Sequence, residues 1–232
     1  MRTPDRAPVQ IAIDGPVASG KSTVAKRLAQ RLGFAFLDTG ALYRAVAFMA
    51  LQSGVKPNDE RGVDALAERA LPEVVSDERD PRSYRIRLDG RLLGPELFAP
   101  AVSQAVSPIA AMPAVRKRLI GAQRAFALHR DVVMAGRDIG TVVLPQARFK
   151  FFLTASVDAR VDRRWRELHD AGIRITREEL HAEIVARDLR DTTRAVSPLA
   201  KAPDAIVVDT SDLTIEEVAD SLERTVAAKN QP

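Results

Sequence analysis

The 232-residue chain has no cysteine, which excludes disulfides and thiolate metal sites. Its three histidines, His129, His169 and His181, lack the spacing of metal ligands. Aromatic residues make up only 5%, so the stacking platforms on which single-stranded nucleic acids lie are scarce. No apolar run approaches the roughly 20 residues that span a bilayer, and the opening "MRTPDRAPVQ" lacks the apolar centre of a signal peptide. These absences lead us to expect a cytoplasmic protein with no membrane partner.

Charge is present in both signs, with 35 Lys and Arg against 31 Asp and Glu, a net +4. Arginine supplies 28 of the 35 cations. Because the basic residues are scattered through acidic ones, no nucleic-acid partner is expected. Arginine forks suit phosphate oxygens, so their excess fits a phosphate-handling pocket. With 46% hydrophobic side chains, the chain can bury one sizeable core, and a single domain over 9–232 is expected.

Five short apolar runs read as buried strands: "VQIAID" (9–14), "FAFLD" (34–38), "VVMAG" (132–136), "KFFLTA" (150–155) and "AIVVDT" (205–210). Between them, apolar residues recur at helical spacing, as in "STVAKRLAQRL" and "REELHAEIVARDLR". Alternation of this kind predicts a parallel sheet covered by helices on both faces. Between about 72 and 100 the texture changes: "SYRIRLDGRLLG" alternates around Asp89-Gly90, the signature of an inserted hairpin.

The stretch "GPVASGKS" satisfies G-x-x-x-x-G-K-[ST] at Gly15, Gly20, Lys21 and Ser22, with a strand before it and a helix after it. Glycines let the backbone wrap a phosphate with its N–H groups turned inward, and the following helix adds its positive end. The expected ATP contacts are Gly15, Pro16, Val17, Ala18, Ser19, Gly20, Lys21, Ser22 and Thr23, with Lys21 at the β and γ oxygens and Ser22 on Mg²⁺. GTPases, motor ATPases and small-molecule kinases all use this loop. A guanine-reading N-K-x-D is absent, and the strand "VVMAGRD" ends in Gly136, Arg137 and Asp138, not in the acidic pair of a motor.

Arginines also stand at the ends of the expected elements: Arg44, Arg137, the pair Arg163 and Arg164, then Arg187, Arg190 and Arg194. Ligands of a doubly wound sheet gather beyond the carboxyl ends of its strands, which brings Arg44 and Arg137 to the mouth holding Lys21. Arg187, Arg190, Asp191 and Arg194 are three or four apart and share one helix face if the helix extends that far.

Together "IDGPVASGKST", "LDTGALYR", "AGRDIGTVVLP", "KFFLTASVDAR" and "ARDLRDTTRAVSPL" resemble the bacterial cytidylate kinases, over about residues 9–225. The resemblance implies a P-loop NTPase fold in three parts: a core (9–45, 113–158, 178–228), an enlarged monophosphate-binding insert (about 46–112) with helices and a small antiparallel sheet, and a short lid (about 159–177). It implies ATP-dependent phosphoryl transfer to CMP or dCMP by a monomer. Carried over by position, Arg44, Arg137 and Arg194 grip the acceptor phosphate; Ser107, Arg116 and Asp138 read the base; Tyr43, Arg187 and Asp191 border the sugar; Thr39 keeps a hydroxyl in "LDTGALYR". Lid residues Arg163 and Arg164 join Lys21 at the transferring group. Cytosine offers an amino donor beside N3 and O2 acceptors, so a carboxylate paired with an arginine would select it, and uracil would face Asp138 with the wrong group. Two departures stand out. Ala135 occupies a position where many relatives have Asp, leaving Asp14 and Asp38 as candidates for water ligands of the ion, and "PELFAP" lacks an arginine usual in the family.

Two rival readings remain at this stage. One is another small-molecule kinase of shikimate or gluconate type; the other is a basic RNA-associated NTPase.

Overall fold

The computed structural model describes residues 7–228, so the last four residues of the expected domain and most of the N-terminal stretch lie outside the described residues. In chain order the elements are β1 (Gln10–Asp14), α1 (Lys21–Leu32), β2 (Ala35–Asp38), α2 (Gly40–Gln52), α3 (Glu60–Arg69), β3 (Glu73–Ser76), β4 (Tyr84–Leu88), β5 (Arg91–Leu93), a 3₁₀ turn (Pro95–Phe98), α4 (Pro100–Ala111), α5 (Pro113–Ala127), β6 (Val132–Gly136), a π turn (Ile139–Val143), β7 (Phe149–Thr154), α6 (Val157–Asp170), α7 (Arg177–Thr193), β8 (Ile206–Asp209) and α8 (Ile215–Ala228).

The five expected strands form one parallel sheet in the order β2-β6-β1-β7-β8. Side chains alternate between its faces with period two. Ile11, Ile13, Val133, Ala135, Phe149, Phe151 and Leu153 meet α1 and α8 on one side, while Ala12, Leu37, Val132 and Met134 meet Phe126 and Ile139 on the other. Helix α1 buries Val24, Ala25, Leu28 and Ala29, and it stops at Gly33, whose left-handed φ of 69° lets its N–H reach back to the carbonyls of Ala29 and Gln30.

Successive strands leave β1 in opposite directions, to β2 on one side and to β7 and β8 on the other. This places β1 and β6 at the reversal of strand order, where the loops beyond their carboxyl ends diverge and open a crevice.

The insert differs from the expected hairpin by one strand. β4 and β5 do turn at Asp89 and Gly90, both at positive φ (49° and 77°), as a two-residue hairpin requires. β3 then adds antiparallel to β4 with Val74 opposite Ile86. Its four residues carry only two apolar side chains, too short a run to register as a strand by alternation alone. The insert has its own core, built from α2, α3, α4 and α5 with Ile86, Leu88 and Leu93. Helix α2 crosses the expected boundary at residue 46, and its first-turn residues Ala41, Leu42 and Tyr43 already pack in the insert's core.

The region expected as a lid, 159–177, holds most of α6 and the turn into α7, which packs back against it. α6 and α7 enclose a small core of Val161, Leu180 and Ile184, against which Trp165 and, from the phosphate loop, Val17 pack. Thr176 and Glu179 close the start of α7 as a reciprocal capping box.

Candidate active site

The glycine-rich loop follows β1 directly. At Gly15 a Cβ would lie 2.1 Å from the Leu153 carbonyl, so only glycine lets the loop pass β7 at this distance. Gly20 takes φ 82° as it enters α1, and Ala18 sits at φ 59°, a conformation that L residues adopt at a cost. Lys21 is buried, and its Nζ donates to the Pro16 carbonyl at 2.9 Å. Burial pushes its ammonium well below the ordinary range; Arg137 and Arg187 act in the same direction, and Asp38 and Asp191 oppose them. The lysine of the phosphate loop therefore already feels the charges expected to hold the acceptor. Ser22 is half-buried at the start of α1, and Thr23 is exposed beside it.

The β6 loop is tied to the β1 and β2 loops. Thr39 Oγ1 and N both donate to the Ala135 carbonyl at 3.0 Å. At Gly136 a Cβ would lie 2.7 Å from that hydroxyl and 2.6 Å from Ile139 Cδ1. Asp14 accepts from the N–H groups of Ile139 and Gly140, each at 2.8 Å, and so holds the π turn that follows Asp138. Burial raises the Asp14 carboxyl to about 6, against the pull of these two bonds. Expected as a partner of the ion's water, Asp14 has both oxygens committed to backbone. Asp38 commits one, Oδ1, to Gly40 N at 2.9 Å.

Two charged groups project from the loop after β6. Asp138 Oδ2 receives Arg116 Nη2 at 2.5 Å, and both side chains are buried. The Arg116 guanidinium also donates to the Ala110 carbonyl at 2.9 Å and lies 5.2 Å over the Tyr43 ring. Behind that ring, the Gln123 amide makes a long 3.5 Å contact to the hydroxyl. The neighbouring Arg137 donates its Nε to Asp191 Oδ2 at 2.8 Å, and Arg194 approaches Asp191 Oδ1 at 3.6 Å. Arg194 Nε is fixed in turn by the Ser197 carbonyl at 2.7 Å, which the left-handed φ of Ser197, 51°, presents to it. Asp191, expected to hold sugar hydroxyls, stands here as the counter-ion between two guanidiniums. The helix carrying it does extend far enough: α7 runs to Thr193 and Arg194 caps it.

Cations outnumber anions in this crevice. Burial, then the charge of Arg137, pushes Arg187 down to about 10, and Arg44 and Arg164 add to the repulsion. Arg44 is held by the insert, through the Leu97 carbonyl at 3.2 Å and Ser103 Oγ at 2.8 Å. Ser107, expected near the base, sits inside α4 and accepts from Arg190 Nε at 3.1 Å, joining the insert to α7. Among the described residues, the buried side-chain atoms without a hydrogen-bond partner include Ser19 Oγ, Arg116 Nε, Arg187 Nε and Arg194 Nη2. Buried donors in native proteins find partners, so three arginine donors left without one fit an anionic, hydrogen-bonding ligand.

The two lid arginines divide. Arg164 pairs with Glu167 at 2.7 Å and lies within electrostatic reach of Arg44 and Arg187. Arg163 turns instead to the loop after β8, donating to the hydroxyl and carbonyl of Thr210 and to the Ser211 carbonyl. Sequence reasoning left Arg160 and Asp188 without roles, yet they link α6 to α7 at 2.6 Å, Arg160 buried and Asp188 half-buried. Nothing in their spacing announced it, since the two are 28 positions apart on different helices. A cavity of about 540 Å³ lies apart from all these groups, at the turn joining α6 and α7, beside Trp165, His169 and Glu179.

The sequence matches the family model of cytidylate kinase over residues 11–228. A cytidylate kinase of Pelotomaculum thermopropionicum is 47% identical over 218 residues, 94% of this chain and 96% of that one. Another, of Nocardia farcinica, is 46% identical over 225 residues, 95% of this chain and 94% of the other. Among solved structures, an uncharacterized protein from Eubacterium ventriosum superposes with a TM-score of 0.50, covering 94% of this chain and 98% of that one at 13% identity, a likeness of fold alone. Since the match spans both the phosphate loop and every segment that brings an arginine to the crevice, the chain belongs to the cytidylate kinase family.

Proposed function

We propose that the protein transfers the γ-phosphoryl group of ATP to CMP or dCMP, giving ADP and CDP or dCDP, as a step in pyrimidine nucleotide metabolism. One observation carries the acceptor side: the buried Arg116–Asp138 pair beside Tyr43, with unpartnered donors on Arg116, Arg187 and Arg194 around it. A carboxylate and a guanidinium side by side offer an acceptor to the amino group of cytosine and donors to its N3 and O2. The remaining arginine donors suit a phosphate.

A monophosphate acceptor is already an anion, so no general base is needed to create the nucleophile. The barrier lies in bringing two polyanions together, and the residues lower it by position and charge. Gly15 to Thr23 cradle the donor phosphates, with Lys21 at the transferring group. Arg44, Arg137 and Arg194 hold the acceptor phosphate. Ser107, Arg116 and Asp138 face the base, while Tyr43, Arg187 and Asp191 border the sugar, Asp191 acting through the two arginines it pairs with; Thr39 joins the CMP site through its hydroxyl. Arg164 stands near enough to add charge from the lid; Arg163 reaches the phosphates only by exchanging its carbonyl partners at Thr210 and Ser211. Closure of the lid, about 159–177, over the crevice would exclude water from ATP.

Mg²⁺ fits this site as an ion that arrives with the nucleotide. No group of three His, Cys, Asp or Glu able to hold a metal occurs among the described residues, so phosphate oxygens and water would supply most of its ligands. The Ser22 hydroxyl would hold it directly, and Asp38, with one oxygen outside its bond to Gly40, is better placed than Asp14 to hold its water. When bound, the ion neutralises charge on the β and γ oxygens. No helix among the described residues is long and apolar enough to cross a membrane; a monomer in the cytoplasm, without nucleic acid, completes the reading.

Coupled measurement of ADP release with CMP, dCMP, UMP and AMP tests it. ADP formation dependent on CMP or dCMP, with UMP and AMP far behind, is the expected result. Turnover that follows shikimate, gluconate or RNA instead would overturn it.

A further inference from the structure

Arg160 lies within the first turns of α6 and is 4% exposed. Its guanidinium is bound in three directions: Nε to the Ala155 carbonyl at 3.1 Å, Nη1 to the Val17 carbonyl at 3.3 Å, and Nη2 to Asp188 Oδ2 at 2.6 Å. Ala155 follows β7, Val17 belongs to the phosphate loop, and Asp188 adjoins Arg187 on α7. The Val17 side chain packs into the small core between α6 and α7, so the same loop residue is gripped through both its carbonyl and its side chain.

We propose that Arg160 is a positioning residue that locks the phosphate loop to α7, holding the donor cradle and the acceptor-binding arginines in register. The proposal rests on the two-nucleotide reading of the crevice. Three features carry it. A guanidinium has five donors in a rigid plane and can bind three acceptors on three separate segments, which a lysine cannot do in the same geometry. Arg160 is buried and Asp188 half-buried, so the link is only partly open to screening by solvent and salt. Finally, Asp188 is fixed by this arginine on a helix that carries Arg187 beside it, Asp191 in the next turn and Arg194 at the cap. A shift of the Asp188 turn therefore moves the acceptor contacts relative to Lys21. In-line transfer tolerates little such displacement: a misplacement of about 1 Å can lower the rate by about 10²-fold.

Steady-state kinetics of Arg160→Met, Arg160→Lys, Asp188→Asn and the double variant Arg160→Met/Asp188→Asn test it, at a temperature where each variant retains its native circular-dichroism spectrum. The expected result is a fall in kcat of at least about ten-fold in every variant, with the KM values for ATP and CMP within about three-fold of the parent. Lysine should not rescue, and the double variant should lose no more than the worse single one, since both break the same link. Lowered melting temperature with kcat within about two-fold would show the link to be only structural and would overturn the proposal, as would full rescue by Arg160→Lys. Should Arg160→Met fail to fold, the near-isosteric Asp188→Asn still decides. Failure of the kinase reading is separate, because the parent itself would then release no ADP in response to CMP.

Discussion

Arg116 and Asp138 meet at 2.5 Å with side chains 2% and 5% exposed, the most deeply buried ion pair among the described residues. Each is held from a different element, Arg116 on α5 and Asp138 after β6, so the pair also fixes the insert against the core. Removing one member leaves the other buried without compensation. Arg116→Met should destabilise the fold by about 3–5 kcal/mol in urea unfolding. Asp138→Asn, which keeps the shape but can turn a donor toward the base, should raise the UMP-to-CMP ratio of kcat/KM by about ten-fold or more. An unchanged ratio would remove Asp138 from base recognition.

Lys21 is the buried cation of the phosphate loop, and its charge is acted on by Arg137 and Arg187, which we propose hold the acceptor. Lys21→Ala should lower the single-turnover rate by about 10²-fold or more while changing ATP affinity by less than about five-fold, as read by rapid quench and calorimetry. Activity within a few-fold of the parent would dismiss this role.

Asp191 balances Arg137 and Arg194, the two arginines proposed to hold the acceptor phosphate. Asp191→Ala should raise the KM for CMP by about ten-fold or more and leave that for ATP within about three-fold. Equal losses on both substrates would place Asp191 in the support of the whole crevice instead.

Asp14 makes a prediction about pH. Burial raises its carboxyl to about 6 from an ordinary 3.8, so between these values the folded chain keeps a proton that the unfolded chain has lost. Its contribution is most favourable below about pH 4 and weakens as pH rises through about 6, the charged form being the disfavoured one when buried. Across about pH 5 to 7 the parent should lose roughly 1 kcal/mol of stability relative to Asp14→Asn. Urea unfolding of both proteins at several pH values measures the difference; a pH-independent gap would show that Asp14 titrates normally. The carboxylate is retained, on this reading, because its two backbone bonds hold the loop carrying Arg137 and Asp138.

The sequence by itself determined the sheet and the donor site. Five short apolar runs became five parallel strands within a residue or so of the expected bounds; β1 and β6 are buried on both faces and apolar for that reason, whereas β8, expected to be buried, is an exposed edge strand with Ile206 36% and Val207 50% exposed. The phosphate loop was legible because its chemistry is local: consecutive backbone N–H groups, glycines and the first turn of one helix lie within a few residues of each other. The candidate acceptor residues were legible by resemblance, and the helical spacing of Arg187, Asp191 and Arg194 put them near one another. Only the tertiary structure decided which charges meet. It paired Arg116 with Asp138, placed Asp191 between Arg137 and Arg194, turned Arg163 toward Thr210, committed Asp14 to the π turn and brought Arg160 to Val17 and Asp188. Apart from Arg194, three positions from Asp191 on the same helix, such partners lie tens to more than a hundred residues apart, and hydrogen bonds have a reach of about 3 Å, so their choice is made by tertiary packing and not by any pattern along the chain.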